Sequence, residues 1–320
     1  MSSPFVPGYI RLLATGELSF RVAALDRLLT ACRVCPCRCG ADRSRGLGRC
    51  ATPGEPVLAS WGPHFGEEPP ISGTRGSGTV FLANCNLRCV FCQNADISQR
   101  PKDFLGAAVT REELAAVMLE LQDAGCHNVN WVSPTHQVPA LVGALRVAAR
   151  SGLRLPIVYN TNAYDSVEVL RLLDGVVDVY MPDLKYAEAD SGAELSRVPD
   201  YPAVARAALR EMHRQVGASW RLGEDGALQR GLLVRILILP RERAGVEASL
   251  RWLAEELSPE VTVSLMSQYR PCHFAARPGR YPAVARPVSP SEYHTALEAL
   301  TRWNRGEHTM AQPYVQRVWS

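Results

Sequence analysis

Three cysteines occupy a short loop that follows an apolar run at residues 80–83, a run typical of a buried strand. Cys85, Cys89 and Cys92 have the spacing C-x3-C-x2-C. Thiolates are soft ligands that select zinc, copper(I) or an iron–sulfur cluster. A structural zinc site or an electron-transfer cubane takes four protein ligands, whereas this loop supplies three. The spacing therefore favours an iron centre that stays open to a small molecule, with buried or zinc-binding cysteines as the alternative.

A second cysteine group precedes this loop. Cys32, Cys35, Cys39 and Cys50 fit the spacing C-x2-C-x3-C-x10-C, which can enclose one metal centre with four thiolates. A second iron–sulfur cluster and a zinc site both agree with this spacing, and the neighbouring motif favours iron slightly. Cys37 lies in the same segment but is not part of this spacing. It has no function there, substitutes for one of the four ligands, or is a reactive thiol.

Composition indicates a globular chain of 320 residues, 47% hydrophobic and 21% charged. Lysine and arginine total 35 against 32 acidic residues, and this net charge of +3 gives no electrostatic case for nucleic acid or a membrane surface. The N-terminus lacks a signal-peptide pattern, and apolar residues nowhere run for the length of a membrane span. Tight cysteine clusters in such a chain predict a reducing compartment, and we expect a cytoplasmic protein.

Hydrophobic periodicity predicts alternating strands and helices after the three-cysteine loop. Thr110 and Glu113 resemble a capping box at the start of one helix. The predicted strands are 80–83, 128–132, 155–160, 176–181, 232–239 and 261–266, and the predicted helices are 18–30, 110–124, 137–149, 166–173, 203–216, 246–257 and 290–303.

Strands that alternate with helices require crossover connections, so the sheet should be parallel and buried on both faces. Six units suit an α/β fold, a partial (β/α)6 TIM-like barrel over residues 79–305. Residues 1–78 form an N-terminal extension with a helix, the four-cysteine segment and a glycine- and proline-rich loop at 61–78, and residues 306–320 form a tail. Functional groups in such folds gather where strands end.

Several motifs together resemble the radical S-adenosylmethionine (radical SAM) superfamily. These are the N-terminal cysteines and the strings GPHFGEEPPISGTRGSG, NCNLRCVFCQN, YNTNAY, MPDLKY and QYRP, which span residues 32–271. The combination is similar to the pyruvate formate-lyase activating enzyme-like branch, which also includes sugar epimerases of orthosomycin antibiotic pathways. The resemblance implies a [4Fe–4S] cluster on Cys85, Cys89 and Cys92, with S-adenosylmethionine on its open iron.

The resemblance also implies cofactor contacts at the strand ends. Thr135 and His136 stand where related proteins carry a Gly-Gly-Glu-like motif, from which this chain departs. Asn160 and Asn162 belong to a Thr-Asn turn that contacts the cofactor or only shapes the loop. Asp183 and Lys185 match an Asp-x-Lys whose lysine faces the cofactor carboxylate. An arginine equivalent to Arg235 reaches S-adenosylmethionine in related enzymes.

Such chemistry begins with reductive cleavage of S-adenosylmethionine and hydrogen abstraction by a 5′-deoxyadenosyl radical. Epimerisation of a sugar-like small molecule is the leading expectation, with Cys272 as the hydrogen donor. The alternative is an activase that installs a glycyl radical in a partner enzyme, and an electron-transfer module without catalysis is a third reading. We expect a reductase such as flavodoxin or ferredoxin as a partner. His64, Glu67 and Glu68 suit substrate contact or acid–base chemistry, although turn and solvent roles suit them better.

Overall fold

The sheet that forms the centre of the molecule is mixed and mostly parallel. The computed structural model describes residues 5–311. Its strands are β1 (Leu58–His64), β2 (Ser77–Leu82), β3 (Val129–Val132), β4 (Ile157–Thr161), β5 (Val179–Pro182), β6 (Arg221–Leu222), β7 (Leu228–Leu237), β8 (Thr262–Met266) and β9 (Met310–Ala311). They lie in the order β1-β2-β3-β4-β5-β7-β8-β9, with β6 paired to β7.

Six consecutive neighbours in this sheet, β2, β3, β4, β5, β7 and β8, run parallel, and β1 lies antiparallel to β2 at one edge. The six predicted strands are therefore confirmed. This α/β arrangement is compatible with a radical SAM partial barrel. Because parallel neighbours place their carboxyl ends at the same edge, the loops that follow these six strands gather at one end of the sheet.

Helices cover the sheet between the strands, as crossover connections require. They are α1 (Gly8–Ala14), α2 (Glu17–Arg27), α3 (Pro69–Ser72), α4 (Ala95–Ser98), α5 (Arg111–Asp123), α6 (Val138–Arg150), α7 (Val167–Leu172), α8 (Ala189–Ser196), α9 (Tyr201–Val216), α10 (Val246–Trp252) and α11 (Pro290–Trp303), with 3-10 turns at Pro101–Phe104 and Pro240–Glu242. The chain continues from α10 through a π-helical turn at Leu253–Leu257. Within residues 5–311, no helix has the length and apolar character needed to cross a bilayer.

The predicted capping box on α5 is confirmed. The Thr110 hydroxyl accepts a hydrogen bond from the Glu113 backbone N–H at 3.1 Å, and the Glu113 carboxylate accepts from the Thr110 N–H at 2.7 Å. Each bond satisfies a backbone donor that would otherwise lack a partner at the start of the helix. Ser289 and Glu292 form the same arrangement on α11, which the sequence analysis did not identify.

The prediction of an irregular loop over residues 61–78 was wrong in part, because β1 extends to His64 and α3 follows it. Antiparallel pairing with β2, from Leu58 opposite Leu82 to His64 opposite Ser77, supplies backbone bonds that side-chain pattern does not reveal. Pro63 fits because β1 is an edge strand. The predicted tail also contributes β9, which pairs with β8, and its residues 312–320 lie outside the described range.

The N-terminal extension packs on the sheet domain rather than standing apart. Leu18, Val22 and Leu25 of α2 belong to the same buried core as Leu141 and Leu145 of α6. The Tyr9 hydroxyl donates to the Leu155 carbonyl at 2.9 Å. These contacts fix the cysteine-rich segment after α2 relative to the strands.

Candidate active site

A cavity of about 390 Å³ opens at the carboxyl ends of the six parallel strands. Residues from the ends of all six contribute to its wall, because parallel strands place those ends together. The lining residues that matter for chemistry are Glu67, Cys85, Cys89, Cys92, Ser133, Asn160, Asn162, Asp183, Lys185, Arg235 and Gln268. The cavity is therefore the place where the sequence-predicted thiols and strand-end polar residues meet.

The three thiols of the loop after β2 face this cavity with defined hydrogen-bond partners. Asn162 Nδ2 donates to Cys85 Sγ at 3.5 Å, and the Leu87 backbone N–H donates to the same sulfur at 3.4 Å. Ser196 Oγ donates to Cys89 Sγ at 3.0 Å, and Ser98 Oγ lies 3.1 Å from Cys92 Sγ. Hydrogen bonds to sulfur are a recognised means of adjusting the reduction potential of an iron–sulfur cluster.

The chemistry of this donor set fits a thiolate-bound cluster. Burial, together with the neighbouring Cys89 and Cys92, raises the pKa of Cys85 to about 12. Burial also raises the pKa of Cys89, although Lys185 opposes this effect. The buried Cys85 and Cys89 thiols ionise only when a cation compensates their charge, which bound iron would do.

The turn after β4 holds the cysteine loop in place. Asn162 Nδ2 also donates to Asn86 Oδ1 at 2.8 Å, and Asn86 Nδ2 donates to the Tyr164 carbonyl at 2.9 Å. Asn162 Oδ1 accepts from the Tyr164 N–H at 3.0 Å, which is the local turn that asparagine favours. Asn162 thus shapes its own loop and contacts a predicted cluster ligand as well.

Asp183, Lys185 and Arg235 form the charged centre of the cavity wall. Lys185 Nζ lies 2.8 Å from Asp183 Oδ2, and Arg235 Nε lies 2.8 Å from Asp183 Oδ1. Burial alone would raise the pKa of Asp183, but the two cations outweigh burial and hold it below its usual value. Burial would lower the pKa of Lys185, yet Asp183 and Cys89 raise it, so the lysine is charged beside a predicted cluster ligand.

Glu67 and Glu68 reach this centre from the loop after β1. Arg235 Nη1 lies 3.1 Å from Glu67 Oε2, and Glu67 Oε1 accepts from Asn160 Nδ2 at 3.1 Å. Glu68 Oε1 accepts from Ser264 Oγ at 3.1 Å, while its Oε2 lies 3.6 Å from Arg235 Nη1. Burial raises the pKa of Glu67, with Arg235 acting in the opposite direction. The solvent role favoured for these two glutamates in the sequence analysis was therefore wrong.

Two predicted cofactor contacts lie behind the cavity wall instead. Thr135 is buried, with its hydroxyl 3.1 Å from that of Thr161, and His136 is fully buried, with Nε2 3.0 Å from the Ala83 carbonyl. Ser133, at a positive φ of 57°, is the residue of this loop that lines the cavity. Cys272 is half-buried in the loop after β8 and is not among the lining residues, although Gln268 of the same loop is.

The N-terminal cysteines lie close to one another. The Cys39 thiol is near that of Cys32, and the Cys37 and Cys50 thiols are near that of Cys35. Cys32, Cys35 and Cys50 are buried, whereas Cys39 is exposed. All ten cysteines of the chain lie within the described range, and each is a free thiol.

Comparison with known proteins agrees with this site. The sequence model of the radical SAM superfamily matches residues 79–216, from β2 to the end of α9. The chain therefore contains a radical SAM superfamily domain, which supports an enzyme with a [4Fe–4S] cluster and S-adenosylmethionine. The chain is also 29% identical over 294 residues to an uncharacterized protein of Methanocaldococcus jannaschii, an alignment that covers 90% of this chain and 79% of that protein.

Proposed function

We propose that this chain is a radical SAM enzyme that abstracts a hydrogen atom from a small, hydroxyl-rich molecule, with epimerisation of a sugar-like substrate as the leading reaction. The observation that carries this proposal is the cavity of about 390 Å³, whose lining combines three thiols with carboxylate and amide groups. Its volume lies in the range of small-molecule sites.

Cys85, Cys89 and Cys92 would hold three irons of a [4Fe–4S] cluster, and the fourth iron would take S-adenosylmethionine. When bound, these groups supply a 5′-deoxyadenosyl radical after one-electron reduction, the difficult step that a cofactor provides. A reductase such as flavodoxin or ferredoxin would deliver the electron.

Lys185 is the residue best placed to bind the cofactor carboxylate. Its ammonium is charged, lines the cavity and lies near Cys89. Asp183 orients this ammonium through the 2.8 Å contact to Oδ2. Arg235 is instead a positioning residue, since Asp183, Glu67 and Asn160 already occupy its guanidinium.

We assign Glu67, Asn160 and Gln268, which all line the cavity, to substrate contact. Carboxylate and amide oxygens accept hydrogen bonds from hydroxyl groups, which suits a sugar-like ligand. Phe81, Leu237 and other apolar side chains complete the wall and exclude water from a reactive radical.

Inversion of a carbon centre needs a hydrogen-atom donor, and Cys272 is our candidate. Its loop continues from the cavity-lining Gln268, and the Ala275 N–H donates to the Val90 carbonyl of the cluster loop at 2.9 Å. The loop that carries Cys272 therefore lies against the loop that carries the cluster ligands.

A glycyl-radical activase is the second candidate, and exposed aromatic residues favour it. Trp61 and Phe65 are 46% and 64% exposed, and they flank the cavity-lining His64. Exposed apolar surface beside a site is typical of protein docking. In that case a glycine of a partner enzyme would be the substrate.

The deciding experiment incubates anaerobically reconstituted protein with reductant, S-adenosylmethionine and candidate sugars or sugar nucleotides in deuterated water. Epimerisation predicts deuterium at one inverted substrate carbon, and Cys272→Ala should abolish that product while Cys126→Ala, a buried thiol elsewhere, should not. Cleavage of S-adenosylmethionine without change in any sugar would favour the activase. Absence of cleavage would refute the radical chemistry.

A further inference from the structure

An additional helix, α8, lies between β5 and α9, where one crossover helix would be enough to connect two parallel strands. The buried residues of α8 are Ser191, Gly192, Leu195 and Ser196. Buried serine hydroxyls almost always have a hydrogen-bond partner. The partner of Ser196 therefore indicates what this additional helix does.

The carboxyl end of α8 contacts the loop that carries the predicted cluster ligands. The Val90 backbone N–H donates to the Leu195 carbonyl at 2.9 Å. Ser196 Oγ donates to Cys89 Sγ at 3.0 Å, and both side chains are buried. Arg197, with a left-handed φ of 61°, ends the helix directly after this serine. The end of α8 thus brings one hydroxyl donor to one predicted cluster ligand.

Tyr186 supplies a second hydroxyl behind the first. Its oxygen lies 2.6 Å from Ser196 Oγ, and the residue is 0% exposed. A serine hydroxyl has one proton to donate. Because Ser196 donates that proton to the sulfur of Cys89, the tyrosine donates to the serine. The two hydroxyl protons therefore point in the same direction, towards Cys89.

The ring of Tyr186 is held on two sides. It makes edge-to-face contacts with Phe91, at 6.4 Å between ring centroids, and with Tyr201, at 5.2 Å. Phe91 belongs to the loop of the predicted cluster ligands, between Cys89 and Cys92. The tyrosine and this loop therefore fix one another in position.

The direction of these hydrogen bonds determines their electrostatic effect. Reduction adds negative charge to an iron–sulfur cluster, so a donor beside a ligand sulfur stabilises the reduced form. Hydrogen bonds in series polarise one another, and burial strengthens each of them. The bond from Tyr186 should therefore make Ser196 a stronger donor to Cys89.

We propose that Ser196 and Tyr186 form a hydrogen-bond relay that raises the reduction potential of the radical cluster, the cluster on Cys85, Cys89 and Cys92. The inference rests on the proposed function, which places that cluster on these cysteines. Within the described residues, neither Ser196 nor Tyr186 lines the cavity, and both act through the Cys89 sulfur. They are therefore positioning residues, and no bond is broken in the relay.

The relay is tested by anaerobic redox titration of the reconstituted full chain, followed by electron paramagnetic resonance. For Ser196→Ala, we expect the ratio of reduced to oxidised radical cluster at a fixed potential to fall about 10-fold, which places the midpoint potential about 59 mV lower. Tyr186→Phe keeps the serine donor, so the ratio should fall less, by about 3-fold. An unchanged midpoint potential in Ser196→Ala would overturn the relay.

The double variant Ser196→Ala/Tyr186→Phe tests whether the tyrosine acts through the serine. Its midpoint potential should equal that of Ser196→Ala, because the tyrosine hydroxyl has lost the group through which it acts. Such non-additivity is the measure of coupling between neighbouring residues. A further shift in the double variant would show that Tyr186 acts independently, and this would refute the relay.

The matched controls remove buried hydroxyls that donate to oxygen. Ser77→Ala loses a 2.7 Å bond to Asn128 Oδ1. Tyr180→Phe loses a 2.7 Å bond to Gln215 Oε1. Both should lower the free energy of unfolding and leave the midpoint potential unchanged. Shifts in the controls as large as those in the relay variants would refute the relay. If the unchanged chain gave no [4Fe–4S] signal after reconstitution, the proposed function would fail instead.

Discussion

Arg235 and Asp183 form the central ion pair of the cavity, with the guanidinium Nε 2.8 Å from Asp183 Oδ1. The other carboxylate oxygen, Oδ2, is taken by Lys185 at 2.8 Å. One aspartate is therefore shared between two cations, and this fixes the lysine ammonium on the cavity wall near Cys89. The pair joins the end of β5 to β7, so it links fold stability to the geometry of the site.

Replacing Arg235 by methionine should destabilise the fold strongly. The change leaves the buried Glu68 and the largely buried Glu67 and Asp183 near one another without their shared cation. Loss of one partner from a buried ion pair typically costs about 3–5 kcal/mol. Anaerobic urea unfolding of the variant and the unchanged chain measures this difference in the free energy of unfolding.

Arg230→Met on the same strand is the matched control. Arg230 makes one bond, from Nη2 to the Gln215 carbonyl at 2.6 Å, so we expect a loss of about 1.5–3 kcal/mol at most. A cost for Arg235→Met no greater than that of the control would show that the carboxylates are not held by this arginine.

Much of the cavity wall could be predicted from strand ends alone. Asp183 follows an apolar run and Arg235 lies within one near its carboxyl end, and parallel neighbours bring such ends together without further information. The pairing of Arg235 was also foreseeable, because a cation within a buried strand requires a counter-charge. Which carboxylates supply that counter-charge could not be predicted. Asp183, Glu67 and Glu68 all lie near Arg235 in space and far from it in sequence.

Glu67 shows why the remainder escaped prediction. It enters the cavity only because β1 turns back antiparallel to β2, and that pairing depends on backbone hydrogen bonds rather than on side-chain periodicity. The sequence also could not predict that Ser133 rather than Thr135 lines the cavity, because this depends on the positive φ of 57° at Ser133. The available sequence signal for Glu67 was that it forms an adjacent pair of acidic residues with Glu68 in a glycine- and proline-rich stretch.

Asn162→Ala should make the radical cluster harder to reduce. Asn162 Nδ2 donates to Cys85 Sγ at 3.5 Å, and a donor to sulfur stabilises the more negative, reduced cluster. We expect a more negative midpoint potential and about a 10-fold smaller reduced fraction at a fixed potential, the equivalent of about 1.4 kcal/mol. Spectroelectrochemical titration with electron paramagnetic resonance measures both quantities.

Gln99→Ala provides the comparison for that titration. Gln99 lines the same cavity, but its side chain donates to the Leu87 carbonyl at 3.3 Å and to no sulfur. Its midpoint potential should match that of the unchanged chain. Equal shifts in the two variants would assign the effect to altered solvation and not to the bond with Cys85.

Glu67→Gln should impair substrate turnover while it leaves cofactor binding intact. The substitution keeps the shape of the side chain but removes the charge of an acceptor that lines the cavity. A hydrogen bond to a charged group contributes about 1.5–3 kcal/mol, so we expect kcat/KM for the substrate to fall about 10- to 100-fold. Steady-state kinetics and the S-adenosylmethionine-dependent spectrum of the cluster provide the two readouts.

Glu68→Gln separates this effect from simple loss of stability. Glu68 is 3% exposed and bonded to Ser264, and it does not line the cavity. It should lower the free energy of unfolding with a smaller effect on kcat/KM. If the two variants reduced kcat/KM equally, Glu67 would have no direct role towards the substrate.

His136 should make the fold sensitive to mild acid. Burial, followed by the nearby Arg43 guanidinium, lowers the pKa of His136 to about 3, from an ordinary value of 6.5. The unfolded chain therefore binds a proton below about pH 6.5 that the folded chain rejects until about pH 3. Stability from this group is complete above pH 6.5 and declines as the pH falls, by about 2 kcal/mol between pH 7.5 and pH 5.

His136→Phe tests this slope, because phenylalanine keeps an aromatic ring in a buried position and has no proton to bind. Urea unfolding at pH 7.5 and at pH 5 should show a difference that is about 2 kcal/mol smaller in the variant than in the unchanged chain. His294→Phe, at an exposed position on α11, should leave the difference unchanged. A slope that survives His136→Phe would mean that other groups cause the acid sensitivity and that His136 titrates similarly in both states.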